Sequence, residues 1–164
     1  MILSVHLLVG AAIGSKVKNY WAIFILATLS HFILDAIPHW EYTDLTANVS
    51  GDVFMTVTVK ALLDILIGVS VISWFFKSSR LVQPAFWGAL FALLPDGLIF
   101  TYVLAQVFFG WPLTFLVGPI AFHDKIHYTD GSDLLFWRIA AEAIVAAVAL
   151  FLLWQARRAV QNKN

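Results

Sequence analysis

Apolar residues occur along this chain in long blocks that short polar stretches separate. A helix that crosses a membrane needs about 20 mostly apolar residues, and five of the blocks are long enough or nearly so. These blocks occupy residues 2–14, 20–37, 53–76, 84–109 and 134–154. The pattern predicts an all-α, polytopic membrane helical bundle with about five spans, in a single integral-membrane domain over residues 1–164.

A further apolar stretch, residues 111–122, is too short to cross a membrane by itself and contains Pro112 and Pro119. We therefore predict that it is a re-entrant or interfacial segment. Polar loops over residues 38–52 and 123–133 follow the second block and this short stretch.

Composition supports the membrane assignment, because only 12% of the residues are charged, against about 25% in soluble domains. The formal net charge is zero, which gives no reason to expect a nucleic-acid partner; the expected partner is a membrane lipid or a lipid-linked substrate. The chain has no cysteine. Any bound metal must therefore be held by histidine and carboxylate, a ligand set that suits zinc, with manganese or iron as alternatives.

Basic residues predict the orientation, since they concentrate in cytoplasmic segments. They cluster after the first block, between the third and fourth blocks, and in the tail: Lys16, Lys18, Lys77, Arg80, Arg157, Arg158 and Lys163. This predicts that the N-terminus lies outside and the C-terminus inside. No positive charge precedes the first apolar run, so we expect a retained helix rather than a cleaved leader.

The second apolar block ends in residues whose chemistry suits metal binding. His31 and Asp35 are four residues apart and share one face of a helix. Pro38 ends or bends that helix, and His39 follows directly. Three good metal ligands thus fall within nine residues of one another.

Other histidine and acidic residues lie in or beside the remaining apolar blocks. An Asp near the bilayer centre costs about 2.5–3.5 kcal/mol, which a bound divalent cation would offset; protonated or water-solvated carboxylates in a cavity are the alternative. Helical rise places most of these residues in one layer. The predicted metal ligands are His6, His31, Asp35, His39, Asp64, Asp96, His123 and His127. Asp96 and Glu41 are the predicted catalytic residues.

Several of these residues have a second interpretation. Asp64 is one helical turn from Lys60 and could simply form an ion pair with it. Arg138 and Glu142 have the same four-residue spacing, and for them we predict an ion pair. Asp96 could cap the second half of a helix broken at the preceding proline. His6 could be a packing residue, or belong to a cleaved leader, and Glu41 could be a solvated surface residue.

Four short motifs resemble those of the bacterial integral-membrane metal-dependent hydrolase family, typified by inner-membrane proteins of the SOS regulon. Here they are His6-Leu7-Leu8, Leu94-Pro95-Asp96, His123-Asp124-Lys125-Ile126-His127 and Ser30-His31-Phe32-Ile33-Leu34-Asp35. The Ser-His motif comes earlier in this chain than in the family, and the paired histidines His123 and His127 are separated by three residues rather than four. The His-x-x-x-Asp step is also similar to that of zinc-dependent phospholipases C and single-strand nucleases.

This resemblance and the polar layer together predict a metal-dependent hydrolase of a lipid-linked phosphoester, with its site open to the extracytoplasmic side. The resemblance also implies that the membrane is the cytoplasmic (inner) membrane of a bacterium. Membrane-embedded Asp and His also mark ion pathways, so a metal or proton transporter is an alternative. A non-catalytic membrane assembly subunit, with a polar core that serves helix packing, is another.

Overall fold

The computed structural model describes residues 1–40, 49–77, 79–127 and 135–162. These residues form seven α-helices and one short 3-10 helix, with no strand among them, which confirms the all-α prediction. The elements are α1 (Leu3–Lys16), α2 (Tyr20–Asp35), α3 (Gly51–Phe76), α4 (Val82–Ala92), α5 (Leu94–Phe109), the 3-10 helix (Thr114–Leu116), α6 (Val117–Ile126) and α7 (Leu135–Gln161).

Helix α1 is the centre of the bundle, and α2, α3, α4 and α7 pack around it. Its closest neighbour is α4. The two helices run antiparallel, as shown by the packing of Gly10 against Gly88 and of Gly14 against Pro84. A Cβ atom added at Gly10 would lie 2.7 Å from the Cβ of Ala92. Small residues therefore let the two backbones touch, as they commonly do where membrane helices pack.

Helix α7 runs parallel to α1 along its length. At one end, the Ile2 N–H donates to Glu142 at 3.2 Å; at the other, the Lys16 ammonium donates to Gln155 at 3.4 Å. The start of α1 therefore lies at the level of the first third of α7, and the basic end of α1 lies near the end of α7.

Helices α4 and α5 meet at an angle of 52°, and the break follows from one proline. Pro95 has no N–H to donate to the Phe91 carbonyl four residues earlier. That carbonyl instead accepts a hydrogen bond from the Thr28 hydroxyl of α2 at 3.3 Å. The bend puts Asp96, in the first turn of α5, beside the end of α2.

By length and composition, α3 and α7 could each cross a membrane, and the bent α4–α5 pair could form a third span. These helices agree with the predicted membrane protein. The described residues contain two to three helices of this kind, however, which is fewer than the five or so spans predicted. The difference arises because α1 and α2 are apolar but only 14 and 16 residues long. The stretch predicted to be re-entrant or interfacial forms the 3-10 helix and most of α6.

Candidate metal centre

Helix α2 carries two polar residues on its buried face. Ile23, Ala27, His31 and Asp35 follow one another at four-residue intervals, so they form one stripe along the helix, and all four are buried. The opposite face is exposed and apolar. The helix therefore directs one imidazole and one carboxylate into the bundle, as their spacing predicts.

Four ligand atoms converge at the end of this stripe, where α2, α5 and α6 meet. Oδ2 of Asp35 lies 2.9 Å from Nε2 of His31 and 3.2 Å from Nε2 of His123. The two Nε2 atoms are 3.2 Å apart. Oδ1 of Asp96 lies 3.7 Å from each of them. We call these four residues the His31 group.

The spacing within the His31 group fits a small divalent cation. Ligand atoms of a tetrahedral zinc ion lie roughly 3.3–3.6 Å from one another. The separations of 2.9, 3.2 and 3.2 Å among Asp35, His31 and His123 are close to this value. The four ligand atoms of the group all lie within 4.8 Å of one another.

The orientation of the His31 ring is also suited to a metal ligand. Its Nδ1 atom lies 2.8 Å from the Ala92 carbonyl oxygen, which can only accept, so Nδ1 carries the proton. The lone pair of a neutral His31 is therefore on Nε2, which faces the other ligand atoms. A backbone carbonyl that fixes the tautomer in this way is the usual partner of a metal-ligating histidine.

Charge around His123 likewise favours a cation. Burial opposes a positive charge on this imidazole, but the hydrogen bond to Asp35 and the nearby Asp96 carboxylate outweigh it, and the pKa of His123 is raised. Its Nδ1 atom is buried and makes no hydrogen bond within the described residues, although the Asp124 carboxylate lies 3.7 Å away. The site thus attracts positive charge, which a proton or a metal ion can supply.

A second group of possible ligands lies beside the first and shares Asp35 with it. Ligand atoms of Asp35, His39 and His127 all lie within 4.8 Å of one another, and we call these residues the His39 group. His39 is buried, and its Nδ1 atom lies 2.6 Å from the Ile37 carbonyl, to which it donates. The ring centroids of His39 and His127 are 4.8 Å apart.

His6 lies on the other side of the shared carboxylate. Its Nε2 atom is 3.1 Å from Oδ1 of Asp35, and its ring stacks on that of His31 with centroids 4.3 Å apart. The Met1 nitrogen also lies 3.1 Å from the same oxygen. His6 belongs to neither group of ligands and instead holds Asp35 from behind.

The structure does not place Asp64 in either group. Its Oδ2 atom accepts a hydrogen bond from the Ser4 N–H at 2.8 Å, at the start of α1. Glu142 has a similar place, because its Oε1 atom accepts from the N–H groups of Ile2 and Trp40 at 3.2 and 3.1 Å. The sequence predicted a pair of Glu142 with Arg138 and not these backbone contacts, for which an acid inside an apolar block was the available signal.

Glu41, one of the two predicted catalytic residues, lies outside the described residues. Of the eight predicted ligands, six belong to the His31 and His39 groups and His6 contacts the shared carboxylate. These buried clusters of histidine and aspartate could hold a metal ion.

Comparisons with known proteins give no relative from which a function could be carried over. No family model matches this chain, and neither a curated protein nor a solved structure matches it.

Proposed function

We propose that this protein is a membrane-embedded, zinc-dependent hydrolase that cleaves a phosphoester in a lipid-linked substrate. The observation that carries the proposal is the convergence of two imidazoles and one carboxylate within 3.2 Å of one another in the bundle interior. Three protein ligands with a further open position are typical of catalytic zinc sites. The motifs shared with the integral-membrane metal-dependent hydrolases support the same reaction class.

The residues of the His31 group divide into holding and reacting roles. His31, Asp35 and His123 are buried and would hold the metal. A bound divalent cation would supply an acidified water molecule and polarise a phosphoryl oxygen. Asp96 is farther from the imidazoles and its side chain is 30% exposed, so it is placed to accept a proton from the attacking water.

Apolar side chains beside the site favour a substrate with a lipid part. Phe32 packs edge-on against the rings of His31 and His123, with centroids 5.5 and 6.1 Å away. Phe122 packs on Phe32 and is 55% exposed. A lipid whose acyl or prenyl chain lies along these rings would present its phosphate to the metal ligands, while the chain itself stays in apolar surroundings.

For the whole chain we propose five spans, with α1 and α2 crossing as short helices, the N-terminus outside and the C-terminus inside. Lys16 and Lys77 lie at or just after the ends of α1 and α3, and Arg157 and Arg158 lie near the end of α7. The positive-inside rule puts these ends in the cytoplasm. The site then opens to the extracytoplasmic side of a bacterial inner membrane.

The proposal is tested with the full chain purified in detergent and loaded with zinc. We expect it to hydrolyse bis(p-nitrophenyl) phosphate, to lose this activity with a chelator, and to regain it with zinc. His31→Ala should lose both zinc and turnover. Asp96→Asn should keep zinc but lose about 10²–10⁴-fold in kcat, the usual contribution of a general base.

Asp52→Asn is the matched control, because Asp52 is an exposed acid in the first turn of α3 and should change neither zinc content nor rate. Zinc binding without hydrolysis of this probe or of a phospholipid would contradict the proposal. In that case zinc uptake into proteoliposomes would favour a transporter. A chain that binds no metal would favour a non-catalytic subunit.

A further inference from the structure

We infer that the centre holds two metal ions, with Asp35 as a carboxylate that bridges them. The inference rests on the proposed function, since it concerns the same site. Its basis is that Asp35 belongs to both the His31 group and the His39 group. A carboxylate has two oxygens and about four lone-pair positions, so it can contact two cations at once.

The two halves of the centre have matching ligands. Besides Asp35, the His31 group contributes His31 and His123, and the His39 group contributes His39 and His127. His127 follows His123 by one helical turn, and its N–H donates to the His123 carbonyl at 2.9 Å. The two rings are therefore neighbours, with centroids 5.0 Å apart, and can serve adjacent ions.

Both halves also fix a histidine tautomer in the same way. His31 donates from Nδ1 to the carbonyl of Ala92, and His39 donates from Nδ1 to the carbonyl of Ile37. In each neutral ring the lone pair is left on Nε2. His39 is also completely buried.

Oδ1 of Asp35 lies 3.1 Å from Nε2 of His6 and 3.1 Å from the Met1 nitrogen. These two contacts fix the plane of the carboxylate, and Oδ2 faces the imidazoles of His31 and His123. Two ions about 3.5–4 Å apart are a common arrangement in phosphoester cleavage, because one can stabilise the attacking oxygen and the other the leaving oxygen. Such a centre would suit the phosphoester substrate of the proposed function.

Metal content of the purified full chain tests this inference directly. We expect two zinc ions per chain in the wild type and one in His39→Ala and in His127→Ala. Asp35→Asn should lose both ions, since it removes the shared ligand. Asp52→Asn should keep two. Circular dichroism and gel filtration show which variants are folded, and His39→Gln and His127→Gln replace any alanine variant that is not.

A spectroscopic measurement does not depend on activity. With Mn²⁺ in place of zinc, two ions joined by a carboxylate give an exchange-coupled electron paramagnetic resonance signal. His39→Ala should give the hyperfine spectrum of an isolated ion instead.

One metal per chain in the wild type, unchanged in His39→Ala and with only isolated Mn²⁺, would overturn the inference. If His31→Ala still abolished hydrolysis, the proposed function would stand without it. Two coupled ions without any hydrolysis would support the dinuclear centre and overturn the proposed function.

Discussion

Two kinds of buried or half-buried carboxylate occur in this bundle, and their contacts distinguish them. Asp35 and Asp96 face imidazoles, whereas Asp64 and Glu142 accept N–H groups at the start of α1. The first N–H groups of a helix have no partner within it, and the helix dipole favours negative charge there. Asp64 and Glu142 therefore hold the start of α1 in place, and α1 in turn carries His6 to the metal centre.

Replacing Asp64 distinguishes a ligand from a helix cap. We expect Asp64→Ala to lower the free energy of unfolding by about 1–3 kcal/mol, because it leaves the Ser4 N–H without this acceptor. Zinc content should not change. Thermal unfolding in detergent and metal analysis of the same samples measure both quantities, with Asp52→Ala as the control. Loss of zinc at full stability would instead make Asp64 a ligand, as its sequence position predicted.

At the scale of elements, the contact between α1 and α4 determines where the site residues lie. Gly88 packs directly against the Gly10 carbonyl, and one turn later the Ala92 carbonyl accepts from His31. The close approach of α1 and α4 therefore determines both the orientation of the His31 ring and the position of His6. A larger side chain between these helices would displace the ligands and would also weaken the packing.

Gly88→Ala tests this close packing. A Cβ at this position would overlap the Gly10 backbone, which cannot rotate away as a side chain could. We expect a loss of about 1–3 kcal/mol in the free energy of unfolding and weaker zinc binding, measured by thermal unfolding and by titration with zinc.

Gly118→Ala is the control, because an added Cβ meets nothing within 4 Å there. It lies in a helix, where alanine is favoured over glycine by about 0.5–1 kcal/mol. Equal stability of the two variants would show that the α1–α4 contact tolerates separation.

At the scale of the whole molecule, the metal centre and the basic residues lie at different levels of the bundle. The Arg157 guanidinium of α7 lies over the Trp74 ring of α3, 5.1 Å from its centroid, and both residues are near the ends of their helices. At the other end, α3 and α7 both contact the start of α1. Helices α1, α3 and α7 therefore run in one direction, from the level of the site towards the basic end.

This common direction predicts how the chain is labelled in a membrane. Since the chain has no cysteine, single cysteines can be introduced without a background. We expect Asp52→Cys, at the start of α3, to react with a membrane-impermeant maleimide in intact cells. Gln161→Cys, at the end of α7, should react only after permeabilisation. The reverse pattern would contradict the proposed orientation, and labelling of both from outside would contradict the proposed set of spans.

Local spacing was enough to predict part of the candidate site. The four-residue step from His31 to Asp35 puts both on one helical face whatever the helix packs against, and the structure has them there. The approach of His123 to Asp35 spans 88 residues, and no local rule gives it. The role of Asp64 could not be predicted, because a carboxylate inside an apolar block looks the same in the sequence whether it binds a metal or accepts from a backbone N–H.

The helical class, the membrane character and the identity of the polar residues that need partners inside an apolar bundle could all be predicted from the order of residues along the chain. These follow from hydrophobic periods and from the cost of burying charge, both of which are local properties. Helix packing, by contrast, brought His6 and His123 to Asp35 and a backbone N–H to Asp64. That outcome depends on which helices touch, and here the contact of α1 with α4 and the break at Pro95 set it.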